Sequence, residues 1–172
     1  MTELVEPSHE LYAAWLEAHE EWGPGAHEDG FGLRPSDDVR SSGGFRTWVD
    51  RLIAESDRVA TEIAQAGCVY RWVVEDGRVL GGIALRHDAH EQVHHAGHVG
   101  YGIRPSARRR GLATLALEQI LNEARNLGME RVLVVCASDN IASAKMIERQ
   151  VGVLERTELT EHGVACRYWI EL

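Results

Sequence analysis

One stretch decides the fold of this chain: Tyr101-Gly-Ile-Arg-Pro-Ser-Ala-Arg-Arg-Arg-Gly-Leu-Ala-Thr114. It is typical of the end of a strand, a tight arginine-rich loop and the start of a long helix. Pro105 ends the extended part, because proline fixes its own φ and disfavours helix in the residue before it. From Leu112 onward the apolar residues recur at helical spacing, and Gly128 is a natural stop. The pattern therefore predicts a strand, a loop and a helix in this order.

The start of the predicted helix is suited to binding an anion. The first N–H groups of a helix have no acceptor within it, and the helix dipole adds partial positive charge at that end. Gly111 has no side chain that would shield these groups. We therefore expect an anion such as a pyrophosphate to bind there.

The spacing of the loop excludes two common phosphate-binding motifs. A P-loop would need another glycine upstream and a lysine before a Ser or Thr, and a dinucleotide fingerprint would need GxGxxG. The chain instead has Arg108-x-x-Gly111-x-Ala113, after a predicted strand and at the opening of a helix. The alternative interpretation is a surface loop with a basic run before an ordinary helix.

Length and composition favour one intracellular domain. The 172 residues fit a single domain, residues 1–172, with a sizeable core. No apolar run is long enough to span a membrane, and the first residues lack the basic and apolar regions of a secretory signal. Cys68, Cys136 and Cys166 lie in apolar surroundings, so we interpret them as reduced core residues. These features predict a cytoplasmic protein.

The charge balance argues against a nucleic-acid partner. The formal net charge is -9, whereas binding to a long polyanion depends on neutralising many phosphates. Arg104, Arg108, Arg109 and Arg110 form a local positive run in this acidic chain. Such a run fits a small polyanion better than a long one.

The first part of the chain is predicted to contain a short strand, two helical segments and a long loop. Residues 4–5 favour a strand, and Ser8 is a candidate N-cap for a helix that ends at about Glu21. Residues 22–44 are rich in Gly, Pro and Ser and predict a long loop, which in a compact domain is usually functional or disordered. Residues 45–64 have a helical pattern.

The next segment is predicted to form a β-hairpin. Residues 69–74 and 79–85 have strand patterns, and Asp76-Gly77 is a strong turn signal between them. The pair Gly81-Gly82 weakens the second strand and indicates a bulge or a close approach of another backbone.

The rest of the chain alternates strands and helices around the arginine-rich loop. A polar, histidine-rich connection at residues 86–95 leads to a strand at residues 98–103. Residues 131–137 form an apolar run that is typical of a strand buried on both faces, in a parallel pair joined through the helix. A short helix to about Arg149 and two closing strands, at residues 152–156 and 164–170, are predicted to follow.

The order of these motifs resembles that of the GNAT N-acetyltransferases. Arg108-x-x-Gly111-x-Ala113 is similar to their acetyl-CoA signature, Q/R-x-x-G-x-G/A, and Asn140-x-x-Ser143 opens a short helix in the corresponding place. A bacterial branch usually labelled predicted acetyltransferase is similar in further stretches: Trp22-Gly-Pro-Gly, Asp29-Gly-Phe-Gly-Leu, His98-Val-Gly-Tyr-Gly-Ile-Arg-Pro-Ser and Val151-Gly-Val-Leu-Glu. The resemblance extends along most of the chain. It implies the GNAT fold, an α/β fold whose mixed, mostly antiparallel central sheet is flanked by helices, with a splayed parallel strand pair at the cofactor site.

The resemblance also implies acetyl-CoA as acetyl donor and a set of residues that hold it. Backbone groups of residues 101–103 would align the acetyl-pantetheine arm, those of residues 109–114 would hold the pyrophosphate, and Asn140 would bond the pantetheine. The implied cofactor-binding residues are Gly102, Ile103, Arg108, Arg109, Arg110, Gly111, Leu112, Ala113, Thr114, Asn140 and Ser143.

The catalytic groups are less well defined, because the chain departs from the common family pattern. Many members carry a tyrosine seven residues after the motif Asn as the acid for the leaving thiolate, and here that position is Ile147. The acid is therefore open, and solvent is one candidate. His98 has the pKa range of a general base, but a histidine bonded structurally in the sheet is the equal alternative. Tyr101 is the second candidate for the site, or else a core aromatic.

The histidine-rich connection does not predict a metal site. His87, His90, His94 and His95 match no zinc-binding spacing, so a solvated connection is the better interpretation. Lys145, the one lysine, is expected to be an exposed helix residue.

These observations predict an N-acetyltransferase that uses acetyl-CoA and a primary amine. The acceptor, a small molecule or a peptide, is not specified, and a homodimer is left open. We expect no nucleic-acid or membrane partner. The alternative, kept open by Ile147, is a non-catalytic acyl-CoA-binding module of the same fold, used in sensing or protein interaction. The loop at residues 22–44 is expected to border the acceptor cleft.

Overall fold

A computed structural model describes residues 1–23, 29–59 and 67–172. Its strands form one seven-stranded sheet in the order β1-β2-β3-β4-β5-β7-β6. Neighbouring strands are antiparallel except for β4 and β5, which run parallel. The strands are β1 (Thr2–Val5), β2 (Cys68–Glu75), β3 (Arg78–Arg86), β4 (Val99–Ile103), β5 (Arg131–Ala137), β6 (Val153–Thr160) and β7 (Gly163–Glu171). The predicted mixed, mostly antiparallel sheet is confirmed.

Helices cover both faces of the sheet. They are α1 (Tyr12–Trp22), α2 (Ser42–Val59), α3 (Val93–Ala96), α4 (Leu112–Asn126) and α5 (Ile141–Arg149). The buried apolar side chains of α4 and α5 join those of β4 and β5 in one core cluster. A second, aromatic cluster lies on the opposite face between α1, α2 and the strands β2 and β3, and contains Trp15, Phe31, Phe45, Trp48 and Trp72. The two helix layers therefore bury opposite faces of the same sheet.

The parallel pair separates soon after it forms. Val99 of β4 and Val134 of β5 are the one register pair between these strands, all of whose residues are described. Beyond Val99, β4 stays paired with β3 while its other edge leaves β5. Residues 100–102 are half-exposed although β4 is a central strand. The sheet thus opens into a groove between the strands that lead to α4 and α5.

Most predicted elements are present, with shifted ends. Ser8 accepts a hydrogen bond from the Glu10 N–H at 3.3 Å, at the start of a 3-10 turn that runs into α1. The second helix begins at Ser42, three residues before its predicted start at Phe45. Its predicted end, at residue 64, lies outside the described residues, as does the part of the predicted loop at residues 24–28. At the two ends of that predicted loop, Trp22 belongs to α1 and residues 42–44 belong to α2, so the prediction was too long there. Residues 29–41 contain neither helix nor strand.

The sequence left two interpretations open for the glycine pair on β3, and the structure has both a bulge next to the pair and close approaches over it. The register between β2 and β3 shifts between Val73 and Val74, which marks a bulge. A Cβ atom on Gly81 would lie 2.4 Å from the Gly102 carbonyl oxygen, and one on Gly82 would lie 2.8 Å from the ring of Phe31. Only glycine allows these close approaches.

Candidate active site

The N-terminus of α4 is open and has the geometry of an anion site. Gly111 precedes the helix in a left-handed conformation with φ 79°, and Leu115 donates the first helical hydrogen bond to its carbonyl at 3.0 Å. The N–H groups of Leu112, Ala113 and Thr114 therefore have no acceptor within the helix. Within α4, all of which is described, the first turn has no acidic side chain, and Gly111 makes no side-chain cap. A small anion placed there would meet several N–H donors and the positive end of the dipole.

The preceding loop adds a second curved run of backbone. Arg109 has φ 62°, so two left-handed residues, Arg109 and Gly111, flank Arg110. Alternating backbone conformations of this kind turn successive N–H groups toward one concave side, which favours anions. The side chains of residues 108–110 are exposed. Arg110 forms an ion pair with Glu75 at 2.6 Å, and Arg108 donates to the Ile103 carbonyl at 3.0 Å.

Arg104 does not contribute to the predicted positive patch, and this is a correction to the sequence interpretation. Its side chain is buried and forms ion pairs with Glu17 and Glu21 of α1. Glu21 also accepts hydrogen bonds from the backbone N–H and the hydroxyl of Ser106. Two carboxylates thus neutralise Arg104 and offset the cost of burying its guanidinium. Its effect is to fix the start of the arginine-rich loop against α1.

Tyr101, Gly102 and Ile103 lie on the strand edge that faces the groove. Tyr101 and Ile103 turn their side chains into the core cluster that contains α4 and α5. Gly100 and Gly102 lie on the opposite face, so β4 has no side chain at either position there. A Cβ atom on Gly102 would lie 2.8 Å from the Asp29 carbonyl oxygen. The strand therefore has its aromatic hydroxyl on the α4 and α5 face and bare backbone on the other.

Asn140 and Ser143 lie at the start of α5, and Ser143 contacts this strand. Asn140 is the N-cap of α5, and its Oδ1 accepts a hydrogen bond from the Ser143 N–H at 3.1 Å. Its side chain is exposed, so the amide Nδ2 is the group it can offer to a ligand. Ser143 is buried, and its hydroxyl accepts a 2.6 Å hydrogen bond from Tyr101. Burial raises the pKa of Tyr101 to about 12, so its phenol stays protonated near neutral pH.

His98 has both ring nitrogens engaged. Nδ1 accepts a hydrogen bond from the Leu133 N–H at 2.8 Å, which assigns the proton to Nε2, 2.7 Å from an Asp88 carboxylate oxygen. The residue is 2% exposed, and burial lowers the pKa of its ring. These contacts join the start of β4 to β5. They favour the structural role that the sequence left open over that of a general base.

The position of the usual family tyrosine lies in the core rather than in the groove. Ile147 is fully buried, and a Cβ atom on Gly152 would lie 2.5 Å from its side chain. A larger ring at this position would have to displace its neighbours. The two hydroxyls of Tyr101 and Ser143 are the nearby proton-bearing groups that sequence spacing did not pair. Their pairing joins residues 42 positions apart, so no local pattern indicates it.

The remaining sequence candidates lie away from the groove or in the core. Lys145 is exposed on α5, whereas Cys68 and Cys136 are buried and Cys166 is half-buried, and all three thiols are free. In the three described ranges, no group of three or more His, Cys, Asp or Glu side chains could hold a metal ion. No helix in those ranges is long and apolar enough to cross a membrane.

Solved structures of several acetyltransferases share this fold. A ribosomal L7/L12 alpha-N-protein acetyltransferase, RimL, solved with coenzyme A, has 16% sequence identity and a TM-score of 0.75, covering 99% of this chain and 94% of that one. RimJ of Mycobacterium smegmatis, solved with CoA-disulfide, has 14% identity and a TM-score of 0.76, covering 99% and 81%. The microcin C7 self immunity acetyltransferase MccE, solved with acetyl-CoA and AMP, has 12% identity and a TM-score of 0.73, covering 99% and 92%.

Comparison of the sequence with family profiles identifies the family of this chain. A search of curated protein sequences found no match. The profile of a family described as "Acetyltransferase (GNAT) domain" matches residues 5–150, which is most of the chain. The groove between β4 and β5, the open N-terminus of α4 and this match agree, and the chain belongs to the GNAT acetyltransferase family.

Proposed function

We propose that this protein transfers the acetyl group of acetyl-CoA to a primary amine of a small-molecule or peptide acceptor. The observation that carries the proposal is the course of β4, which leaves β5 after Val99 and leads through residues 104–111 to the open N-terminus of α4. A pyrophosphate at that terminus and an acyl arm along the free edge of β4 would place a thioester in the groove. RimL, RimJ and MccE, whose folds are similar, were solved with CoA species bound.

The donor would be held mostly by backbone groups. The N–H groups of residues 109–114 would bind the pyrophosphate, and the exposed side chains of Arg108, Arg109 and Arg110 would surround it. Residues 101–103 would align the pantetheine along the strand edge, and the amide of Asn140 would donate to it. Holding the thioester in one place in this way lowers the entropic cost of the reaction.

The chemistry would require one bond to form and one to break. The neutral amine nitrogen attacks the thioester carbonyl carbon, a C–N bond forms, and the C–S bond breaks to release the CoA thiolate. The amine loses a proton to solvent or to a base on the acceptor, and the thiolate gains one. We assign the positioning of the thiolate to the Ser143 hydroxyl, which Tyr101 holds with a 2.6 Å hydrogen bond. His98 takes no part in proton transfer in this proposal, since its nitrogens are occupied.

The acceptor would approach from the face opposite α4 and α5. On that face Gly100 and Gly102 leave β4 without side chains, and the segment that begins at Asp29 lies beside Gly102. Because Asp29 already fills the space over Gly102, the amine would reach the carbonyl beside this segment, through the gap between β4 and β5. This supports the expectation that the described part of the loop, residues 29–41, borders the acceptor cleft.

Turnover distinguishes an enzyme from a non-catalytic acyl-CoA-binding module. The test is release of free CoA from acetyl-CoA over a panel of amino acids, polyamines, aminoglycosides and peptides with free N-termini, with mass spectrometry of the products. We expect acetylated product from at least one class and a CoA release rate that depends on the amine. Tight acetyl-CoA binding without acetylation of any panel member would favour the binding module.

A further inference from the structure

Arg86 lies over bare backbone on the acceptor face of β4. It is the last residue of β3, and its backbone N–H donates to the His98 carbonyl at 2.7 Å. A Cβ atom on Gly100 would lie 3.3 Å and 3.5 Å from its two terminal guanidinium nitrogens. One of these nitrogens donates to the Gly97 carbonyl at 3.1 Å. The guanidinium therefore rests on β4 close to the point where β4 and β5 part.

Arg86 differs in its ion pairs from the other buried and half-buried arginines. Five arginines in the described ranges are buried or half-buried, and four of them pair with two carboxylates each: Arg51 with Asp37 and Glu55, Arg71 with Glu6 and Glu123, Arg104 with Glu17 and Glu21, and Arg167 with Glu155 and Glu158. No carboxylate of a described residue lies within ion-pair distance of Arg86, which is the fifth. A half-buried charge without a partner lowers the stability of the fold. The absence of a partner is notable because the net charge of the protein is -9, so carboxylates are plentiful.

None of the described acidic residues near Arg86 forms an ion pair with it. Asp88, the nearest acid in sequence, is 2.7 Å from His98 and points a largely exposed side chain to that ring. Burial lowers the pKa of His90, and the positive charge of Arg86 lowers it further. Most of the five N–H donors of the guanidinium are thus available to a ligand, in a planar arrangement that matches a carboxylate.

We propose that Arg86 binds a carboxylate of the acceptor. The enzyme would then be selective for acceptors that carry a free carboxylate near the amine, such as amino acids and short peptides. This inference rests on the proposed acetyl transfer and deepens it by naming the substrate class. A carboxylate on Arg86 would anchor the acceptor above Gly100, beside the gap through which its amine reaches the thioester. Arg86 is a specificity-determining residue and takes no part in the bond changes.

The test compares two pools of acceptors that differ in whether their carboxyl group is free or amidated. One contains amino acids and dipeptides with free carboxylates, and the other contains the same compounds as amides. The measured quantity is the ratio of kcat/KM for the two pools in the wild type, Arg86→Gln and Arg86→Lys. Because each variant is compared with the wild type, the different basicity of the amines cancels. Arg149→Gln, at an exposed arginine near the end of α5, is the control for loss of one positive charge.

We expect the wild type to prefer the carboxylates, and Arg86→Gln to lower that preference about tenfold or more, the loss typical of a charge-assisted hydrogen bond. Arg86→Lys should keep part of it, and Arg149→Gln all of it, with the Kd of acetyl-CoA unchanged throughout. An unchanged ratio in Arg86→Gln, or a wild type that acetylates neither pool while binding acetyl-CoA, would overturn the role of Arg86 alone. A wild type that does not bind acetyl-CoA would overturn the proposed function as well.

Discussion

The hydroxyl of Tyr101 donates a 2.6 Å hydrogen bond to the hydroxyl of Ser143, which joins β4 to α5. The Ser143 backbone N–H also donates a hydrogen bond to Asn140 Oδ1, so both the backbone and the side chain of Ser143 are fixed. Burial raises the pKa of Tyr101 to about 12, and the phenol therefore remains a donor throughout the range in which amines become neutral. The Ser143 hydroxyl is left with its own proton to donate into the groove.

We predict that Ser143→Ala lowers kcat by about 10- to 100-fold, the loss typical of a hydrogen bond to a charged group. The KM for acetyl-CoA should change less than the rate, because the hydroxyl acts mainly on the leaving thiolate. Tyr101→Phe should have a smaller effect, and the double variant should resemble Ser143→Ala, since Tyr101 acts through Ser143. Steady-state kinetics of the three variants measure this.

Tyr168→Phe is the matched control for Tyr101→Phe. Tyr168 is buried in the same core cluster, and its hydroxyl bonds to Glu148 at 3.4 Å instead of to Ser143. We expect it to leave kcat nearly unchanged. Equal losses in the two Tyr→Phe variants, or additive effects of Tyr101→Phe and Ser143→Ala, would show that the hydroxyl pair has no specific role.

We predict that His98→Gln affects stability rather than the pH dependence of the reaction. The buried Leu133 N–H would lose its acceptor, which typically costs about 1–3 kcal/mol of unfolding free energy. Turnover per folded molecule, and the apparent pKa values of the pH–rate profile, should stay close to those of the wild type. Denaturant unfolding and pH–rate profiles measure the two effects separately.

The same variant has a stability signature that depends on pH. Burial lowers the pKa of His98 in the folded protein below its ordinary value, so the unfolded chain binds more protons there. The neutral ring thus contributes stability above a pH of about 6.5, and this contribution is lost as the pH falls through the lower folded value. The difference in unfolding free energy between wild type and His98→Gln should therefore shrink toward acidic pH. A loss of turnover with no change in stability would instead make His98 the base.

The local patterns of the sequence were sufficient for the elements around the groove. Leu112–Asn126 has helical apolar spacing and ends shortly before Gly128. Residues 132–136 are all apolar because this central part of β5 is covered on both faces. Gly81 was a useful signal, because its missing side chain reports the close approach of β4. These features depend on neighbours in sequence or on the residue's own backbone, which is why they can be predicted.

Long-range pairing accounts for what could not be predicted. Arg104 belongs by sequence to the basic loop, but its partner Glu17 is 87 positions away on α1 and removes its charge from the site. Histidine has a pKa range suited to a general base, so the sequence allows that role for His98. Only the structure shows that its two ring nitrogens are bonded to the Leu133 N–H and to Asp88. Arg86 is one of many arginines in the sequence, and its lack of an acidic partner is visible only in three dimensions.

The central claim, that the N-terminus of α4 binds the pyrophosphate of acetyl-CoA, is tested most directly by the two glycines that flank this helix. Gly111 and Gly128 have φ values of 79° and 76°, and a side chain added at either would meet open space, so a Glu strains the backbone equally at both ends. Only at Gly111 does it place a negative charge beside the anion site. Calorimetry of acetyl-CoA binding should show a loss of roughly a hundredfold or more in Gly111→Glu and wild-type affinity in Gly128→Glu. Equal affinities in the two variants would contradict the account.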